Sequence, residues 1–492
     1  MSEINFVDTT FRDGHASLWA EGMTTDMMLP VAAQMDRIGF QSMELTALSH
    51  FKKCVRELYD DPWERIRLIS KIITNTPLSM MMHCSISAFD VTPFPLLKLW
   101  MERIAANGIN RVQLMESSND MGNRVPETVG FAKDAGLKVC LALVYSLSPK
   151  HTDEHYAQKA RDAAKLNIDA IYLKDPGGLL TPERMQTLIP VILNNINGIP
   201  LELHSHCTTG LAPLCYLEAA KLGVKTFHTA IPPLANGSAQ PSVLNVASNA
   251  RFLGYTPAID LDAIKPISDH FRFIAKKENL PIGAPLEYDY YQYIHQIPGG
   301  VISNLRHQLA TLKSEDRLQE VFAETVRVRE DLGYPIMVTP FSQFVVSQAF
   351  INVMTNERYK EVTDEIIQYA VGHWGKEASL AVDPNIKDKI VSRVRAKELT
   401  AETASEVTVA DIRKSFGKES ISDDDLLLLY IIGEEDDIKK MRTAQSQKKG
   451  LSAKTPLMTM IQELANRKDS NYIHVQKKDF SLTLRKNQSA SL

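Results

Sequence analysis

No two cysteines in this chain are spaced to read as a metal knuckle or a redox couple. The five (Cys54, Cys84, Cys140, Cys207 and Cys215) are odd in number, scattered and without a CxxC pair, so they read as reduced thiols of a reducing compartment. Long apolar runs are also missing, and none approaches the ~20 residues that a membrane span needs. Neither sign of charge dominates. A formal net charge of −4 provides no broad field for nucleic acid or anionic lipid. The opening MSEINFVD has no basic segment and no apolar one, so no secretory signal is expected. No GxGxxG follows the first strand-like run, which removes the main argument for a dinucleotide-binding sheet. These absences point to a cytoplasmic globular protein without a nucleic-acid partner.

What is present is order along the chain. At 492 residues it is too long for one ordinary core. Short β-rich runs occur at 4–10, 41–47, 78–84, 111–117, 138–146, 170–176, 200–206 and 226–231. Each is followed by helix-like sequence, such as TDEHYAQKARDAAKLN (152–167) and APLCYLEAAKLG (212–223). Eight strands alternating with helices over this span predict a TIM (β/α)8 barrel. From about residue 290 helical periodicity takes over, at 314–333, 342–355 and 364–375, with a further helical piece at DDDLLLLYIIG. Residues 441–456 read as a flexible linker. A short helix and two alternating runs, YIHVQKK and FSLTLRK, follow as a hairpin. The expected division is a barrel over 1–290, a mainly helical domain over 291–440 and a tail over 441–492.

Several strand-like runs end in polar groups, and strand C-terminal ends build the active site of a barrel. His204 and His206 are two apart, so they share a face of their strand. Imidazoles paired near a barrel mouth suit a divalent metal. Asp13 can reach the same mouth, or can simply cap the helix that follows. Arg12 can hold a developing oxyanion, or only balance Asp8 and Asp13. Lys174 reads either as a salt bridge with Asp175 or, if carbamylated, as a carboxylate-like ligand. Cys207 adjoins His206, but neighbouring strand residues face opposite ways, which disfavours a His/His/Cys site. Ser238 in NGSAQPS offers a hydroxyl at the mouth, or is an ordinary turn serine.

Taken together, DTTFRDGH, DPWERIR (61–67), YLKDPGGLL (172–180), HSHCTTG (204–210), AQPS (239–242), HQIPGGVISNLRHQL (295–309) and DLGYPIMVTPFSQFVVSQAFINV (331–353) resemble the biotin-dependent carboxyltransferase family. That family includes the pyruvate carboxylase carboxyltransferase domain, the oxaloacetate decarboxylase alpha chain and the transcarboxylase 5S subunit. The resemblance implies a metal-bearing barrel with a helical conserved carboxylase domain wrapped onto it. Asp13, His204, His206 and a carbamylated Lys174 would bind zinc, manganese or cobalt. Ser238 would relay a proton between biotin and the acceptor, while Arg12 steadies the charge that builds on it. Pyruvate or oxaloacetate would be the default small-molecule acceptor. The family pattern, however, has glutamine where Ala16 stands, arginine where His83 and Gln113 stand, and aspartate where Glu116 stands. The arginine–carboxylate clamp is therefore replaced, and histidine does not reproduce its paired donors. No AMKM-like biotinylation site appears, so biotin is expected on a separate carrier subunit, which the tail hairpin would dock. A biotin carboxylase subunit and a homodimer or larger complex complete the implied assembly. Two other readings stay open. One is a metal-dependent Claisen or aldol enzyme resembling isopropylmalate synthase or hydroxymethylglutaryl-CoA lyase; the other is a non-catalytic scaffold subunit.

Overall fold

The computed structural model of the chain describes residues 2–86, 91–401, 407–447, 461, 464, 472–477 and 480–485. Eight strands build its centre: β1 (Glu3–Asp8), β2 (Ser42–Ala47), β3 (Leu78–His83), β4 (Arg111–Met115), β5 (Lys138–Val144), β6 (Ala170–Asp175), β7 (Leu201–Ser205) and β8 (Thr226–Thr229). Each pairs in parallel with the next, and β1 closes the ring by pairing with both β2 and β8. This is the expected TIM barrel. A short β9 (Thr256–Pro257) lies against β1 outside the ring.

The two-residue alternation of a strand decides which side chains see the barrel axis. Outward-facing Ile171, Leu173, Leu201 and Leu203 join the large apolar core beneath the helices. Tyr172, Lys174, Glu202 and His204 occupy the other face, where Tyr172 stacks on His228 of β8, two strands along the ring. The helices start where polar caps place them. Thr181 Oγ1 accepts from the Arg184 amide at 3.1 Å, and Pro182 opens the helix Pro182–Leu193.

A second apolar core runs from Ile297 to Leu399. Its centre is Leu318–Asp331 packed on Phe341–Thr355, close to the two helices expected there. The loop between them descends onto the barrel mouth. Ile336 and Val338 pack with Met115, Ala142, Val144 and Tyr172, and Ser117 Oγ donates to the Thr339 carbonyl at 2.9 Å. Arg329 fixes the same junction by donating to Ser146 Oγ at 2.9 Å and to the Leu147 carbonyl at 3.0 Å.

The chain then returns to the barrel. Leu426, Leu427, Leu428 and Leu429 of the helix Asp423–Ile432 are buried in the barrel's own core. Trp63 Nε1 donates to the Asp424 carbonyl at 3.0 Å, and Arg103 Nε binds its carboxylate at 2.7 Å. Residues 441–447, expected as the start of a linker, continue the helix Glu435–Gln447. Ile438 and Met441, three apart on one face, are buried against the barrel core and hold it there. The rest of that expected linker and most of the short helix after it lie outside the described residues. The tail forms the expected hairpin, β10 (Tyr472–Lys477) antiparallel to β11 (Phe480–Arg485). Among the described residues no helix is long and apolar enough to cross a membrane.

Candidate metal centre

The chain leaves β1 through a single π-helical turn, Thr10–Gly14, a wider winding often found at functional sites. Asp8 anchors the turn by accepting from the Thr10 hydroxyl at 2.5 Å. Arg12 and Asp13 are thereby turned into the barrel, where both are buried. Gly14 has no room for a side chain, because a Cβ there would lie 2.7 Å from the Leu234 carbonyl.

Three donor atoms from two segments then meet. Asp13 Oδ2 lies 3.1 Å from His204 Nε2 and 3.5 Å from His206 Nε2, and the two Nε2 atoms are 3.4 Å apart. Donors about 2.1 Å from a common divalent ion, at tetrahedral to octahedral angles, lie roughly 3.0–3.4 Å from one another. The observed triangle has that size. Asp13 Oδ2 is buried beside the Arg12 guanidinium at 2.7 Å but makes no aligned hydrogen bond, so it keeps accepting capacity for a further cation. The residues present therefore fit a divalent metal.

Each member is held by a partner. Ser17 Oγ donates to Asp13 Oδ1 at 2.8 Å. His206 Nδ1 lies 2.6 Å from the Ser238 carbonyl; it therefore carries the proton and leaves Nε2 free to bind metal. Burial works against the charge on Asp13, but Arg12 and His206 outweigh it and hold the carboxyl well below its usual range. Arg12 donates through Nε to Glu44 Oε2 at 2.5 Å and lies 2.7 Å from Asp13 Oδ2. Burial and the neighbouring Lys174 charge keep the His204 imidazole neutral.

Lys174 Nζ is 3.4 Å from His204 Nε2. Burial, reinforced by Arg12, lowers its pKa to about 8. Its alternative partner is not used. Asp175 faces the other way and accepts from the Leu179 and Leu180 amides at 2.9 Å each and from Ser205 Oγ at 2.8 Å. Cys207 is buried away from the donor triangle, its amide donating to the Ala239 carbonyl. The Ser238 hydroxyl donates to the Ser17 carbonyl at 2.8 Å, so this residue touches the centre through its backbone. Ala16 lies on the helix His15–Leu18 beside Ser17.

The remaining candidates lie on β3, on β4 and just beyond its end. His83 and Glu116 line a cleft beside the mouth that Trp374 of the helical unit also borders. Ser117 Oγ is 3.4 Å from His83 Nδ1. Burial raises the Glu116 carboxyl to about 7, although the Ser118 hydroxyl and the Ser118 and Asp120 amides all reach it. Gln113 is fully buried, and neither its amide oxygen nor its nitrogen has a partner.

Four further groups at the centre were not selected from the sequence. Gln240 Nε2 reaches His204 Nε2 at 3.2 Å and His206 Nε2 at 3.1 Å. Glu44, Glu202 and His228 line the barrel directly behind His204. The signal was available in part, since Glu202, His204 and His206 follow the same two-residue spacing.

Family models match the chain in two segments, "HMGL-like" over residues 3–270 and "Conserved carboxylase domain" over residues 293–482. A pyruvate carboxylase subunit from Methanocaldococcus jannaschii is 36% identical over 79% of this chain and 68% of its own length. The methylmalonyl-CoA carboxyltransferase 5S subunit of Propionibacterium freudenreichii subsp. shermanii is 32% identical over 76% of this chain and 74% of its own. The 2-oxoglutarate carboxylase large subunit of Hydrogenobacter thermophilus is 29% identical over 87% and 67%. The chain thus spans about two thirds of the length of the first of these relatives. The same fold occurs in the carboxyl transferase domain of Rhizobium etli pyruvate carboxylase solved with pyruvate and biocytin. The TM-score is 0.80 at 21% identity, covering 98% of this chain and 84% of that one.

Proposed function

The chain belongs to the biotin-dependent carboxyltransferase family, and from that premise we propose that it moves a carboxyl group between carboxybiotin, carried on a separate subunit, and a small enolisable carbonyl acceptor. The observation that carries this reading is the convergence of Asp13, His204 and His206 at the barrel mouth, with Lys174 beside them. Carbamylated by CO2, Lys174 would become the fourth protein ligand of a zinc, manganese or cobalt ion. When bound, the ion supplies Lewis acidity, polarising the acceptor carbonyl as it enolises.

The chain's own groups do the rest. Arg12 holds positive charge at the mouth where enolate charge develops. Ser238 would exchange its bond to Ser17 for one to biotin, and pass the acceptor's Cα proton to the ureido group as CO2 leaves. Gln113 has two unsatisfied polar atoms and would pair with the acceptor's polar end, with His83, Glu116 and Ala16 shaping the rest of the pocket. An amide in place of a guanidinium favours a weaker, neutral contact over a clamp on a carboxylate. The carboxylase-domain match over 293–482 favours this reading over a Claisen or aldol enzyme. A biotinyl carrier, a biotin carboxylase subunit and a second copy of the chain are the partners this reading implies.

Oxaloacetate decarboxylation by the metal-loaded chain, with and without free biotin, tests it. A biotin-stimulated rate that Lys174→Ala abolishes is expected. A rate indifferent to both biotin and Lys174→Ala overturns the carboxyltransfer reading. A metal-loaded protein with no rate removes oxaloacetate from the acceptors.

A further inference from the structure

His228 on β8 has no part in the chemistry described so far, yet it touches a metal-binding residue. Its Nδ1 lies 3.1 Å from His204 Nδ1. Its Nε2 lies 2.8 Å from Glu202 Oε2, and both Glu202 oxygens lie 2.7 Å from Arg111 Nη2. Tyr172 stacks on the ring, 5.6 Å between centroids and 11° from parallel. Glu44 Oε1 is 3.2 Å from the same Nδ1. Every one of these groups is buried.

A contact between two Nδ1 atoms at 3.1 Å holds a single proton, and the question is which ring owns it. If His228 Nδ1 carried it, a neutral ring would turn a bare Nε2 lone pair toward the Glu202 carboxylate at 2.8 Å. His204 would then have to be protonated on Nε2, with no lone pair for a metal. If His204 Nδ1 carries it, His228 accepts at Nδ1 and donates from Nε2 to Glu202. Arg111 keeps that carboxylate charged, so each contact from His204 Nδ1 through His228 to Glu202 pairs a donor with an acceptor, while Glu44 Oε1, 3.2 Å from His228 Nδ1, makes no aligned hydrogen bond to the ring.

We propose that His228, oriented by Glu202 and Arg111, is a positioning residue that fixes the Nδ1–H tautomer of His204 and so presents His204 Nε2 to the metal. This inference rests on the metal reading of Asp13, His204 and His206. It adds that metal affinity is set partly from the side of the barrel opposite the mouth, by residues that never touch the ion.

Two substitutions of similar size separate this role from a merely structural one. His228→Asn places an amide oxygen near the position of Nδ1 and keeps the acceptor for His204. His228→Gln reaches instead toward Glu202 and removes that acceptor. Co2+ alone is the probe, titrated by its visible absorption and by competition with a chelator. We expect His228→Asn to bind Co2+ within about threefold of the unsubstituted chain, and His228→Gln to bind it roughly 10–100-fold more weakly. Equal affinities, or the reverse order, overturn the proposal. A nitrogen-15 spectrum of the unsubstituted, histidine-labelled chain does not depend on any variant folding. His204 protonated at Nδ1 and His228 at Nε2 are expected, and the opposite pair overturns the proposal. An unsubstituted chain that binds no Co2+ removes the metal reading itself and this inference with it, whereas failure only of the Asn and Gln comparison leaves the metal reading standing.

Discussion

The two halves of the barrel interior are built on opposite principles. Around β1, β2 and β6–β8 the axis is lined by Arg12, Asp13, Glu44, Lys174, Glu202, His204 and His228, joined in contacts of 2.5–3.4 Å. Around β3–β5 it is lined mainly by Met81, Met115, Cys140, Ala142 and Val144, and closed by Ile336 and Val338 from the helical unit. Gln113 and Arg111 of β4 are the polar exceptions, Arg111 reaching across to pair with Glu202 of the charged wall. One half is held by charge pairing that must be complete, because a lone buried charge is costly. The other is held by apolar contact, which tolerates small losses. A metal-assisted reaction needs both: a fixed donor set on one wall, and on the other a dry surface that strengthens every charge facing it.

The largest break expected is on the charged wall. Lys174→Ala should lower biotin-stimulated decarboxylation by about 10³-fold or more, since the metal's stabilisation of developing charge is worth several kcal/mol. Steady-state rates with metal content measured in parallel check this. Next is Arg111→Leu, which leaves Glu202 buried and unpaired. A loss of about 3–5 kcal/mol is expected, read from denaturant unfolding. On the apolar wall, Ile336→Ala removes a plug residue from the mouth. It should cost about 2–3 kcal/mol, with Co2+ affinity unchanged; an equal loss in both would erase the contrast between the walls.

The smallest effect is a pH slope at the apolar wall's edge. Burial raises Glu116 from its ordinary value to about 7, so the native chain retains a proton that the unfolded chain gives up. Unfolding free energy should therefore be unaffected by this group below pH about 4 and fall as pH rises toward 7. Glu116→Gln should remove that decline, a difference on the order of 2 kcal/mol at pH 6. Unfolding curves of both proteins across pH 4–8 measure it, and parallel curves would place the charge elsewhere.

Much of this was legible in the chain because it is local. Strand positions follow from the two-residue alternation of apolar side chains, and His204 and His206 announce themselves by the same spacing. The contacts of Glu44, Glu202 and His228 were not legible, because barrel closure alone brings β2, β7 and β8 to one axis. Lys174 and Asp175 look like an ion pair in sequence, yet strand geometry sends them to opposite faces. The plug residues Ile336 and Val338 sit in a loop that looks like any connection between helices. Residues 441–447 of the helix Glu435–Gln447 read as the start of a linker because Thr, Gln and Ser dominate them, whereas burial of Ile438 and Met441, with polar contacts from Asp437 and Gln445, binds the helix to the barrel.

The return of the chain at Asp423–Ile432 has a mechanical consequence. A unit hung from one connection can swing freely about it. The helical unit is pinned at its start by Arg329 and Ser117, and downstream by Asp424 against Trp63 and Arg103, like a handle fixed at both ends. Held at both points, it cannot swing as a unit on a single hinge would, and Ile336 and Val338 are kept seated over the mouth.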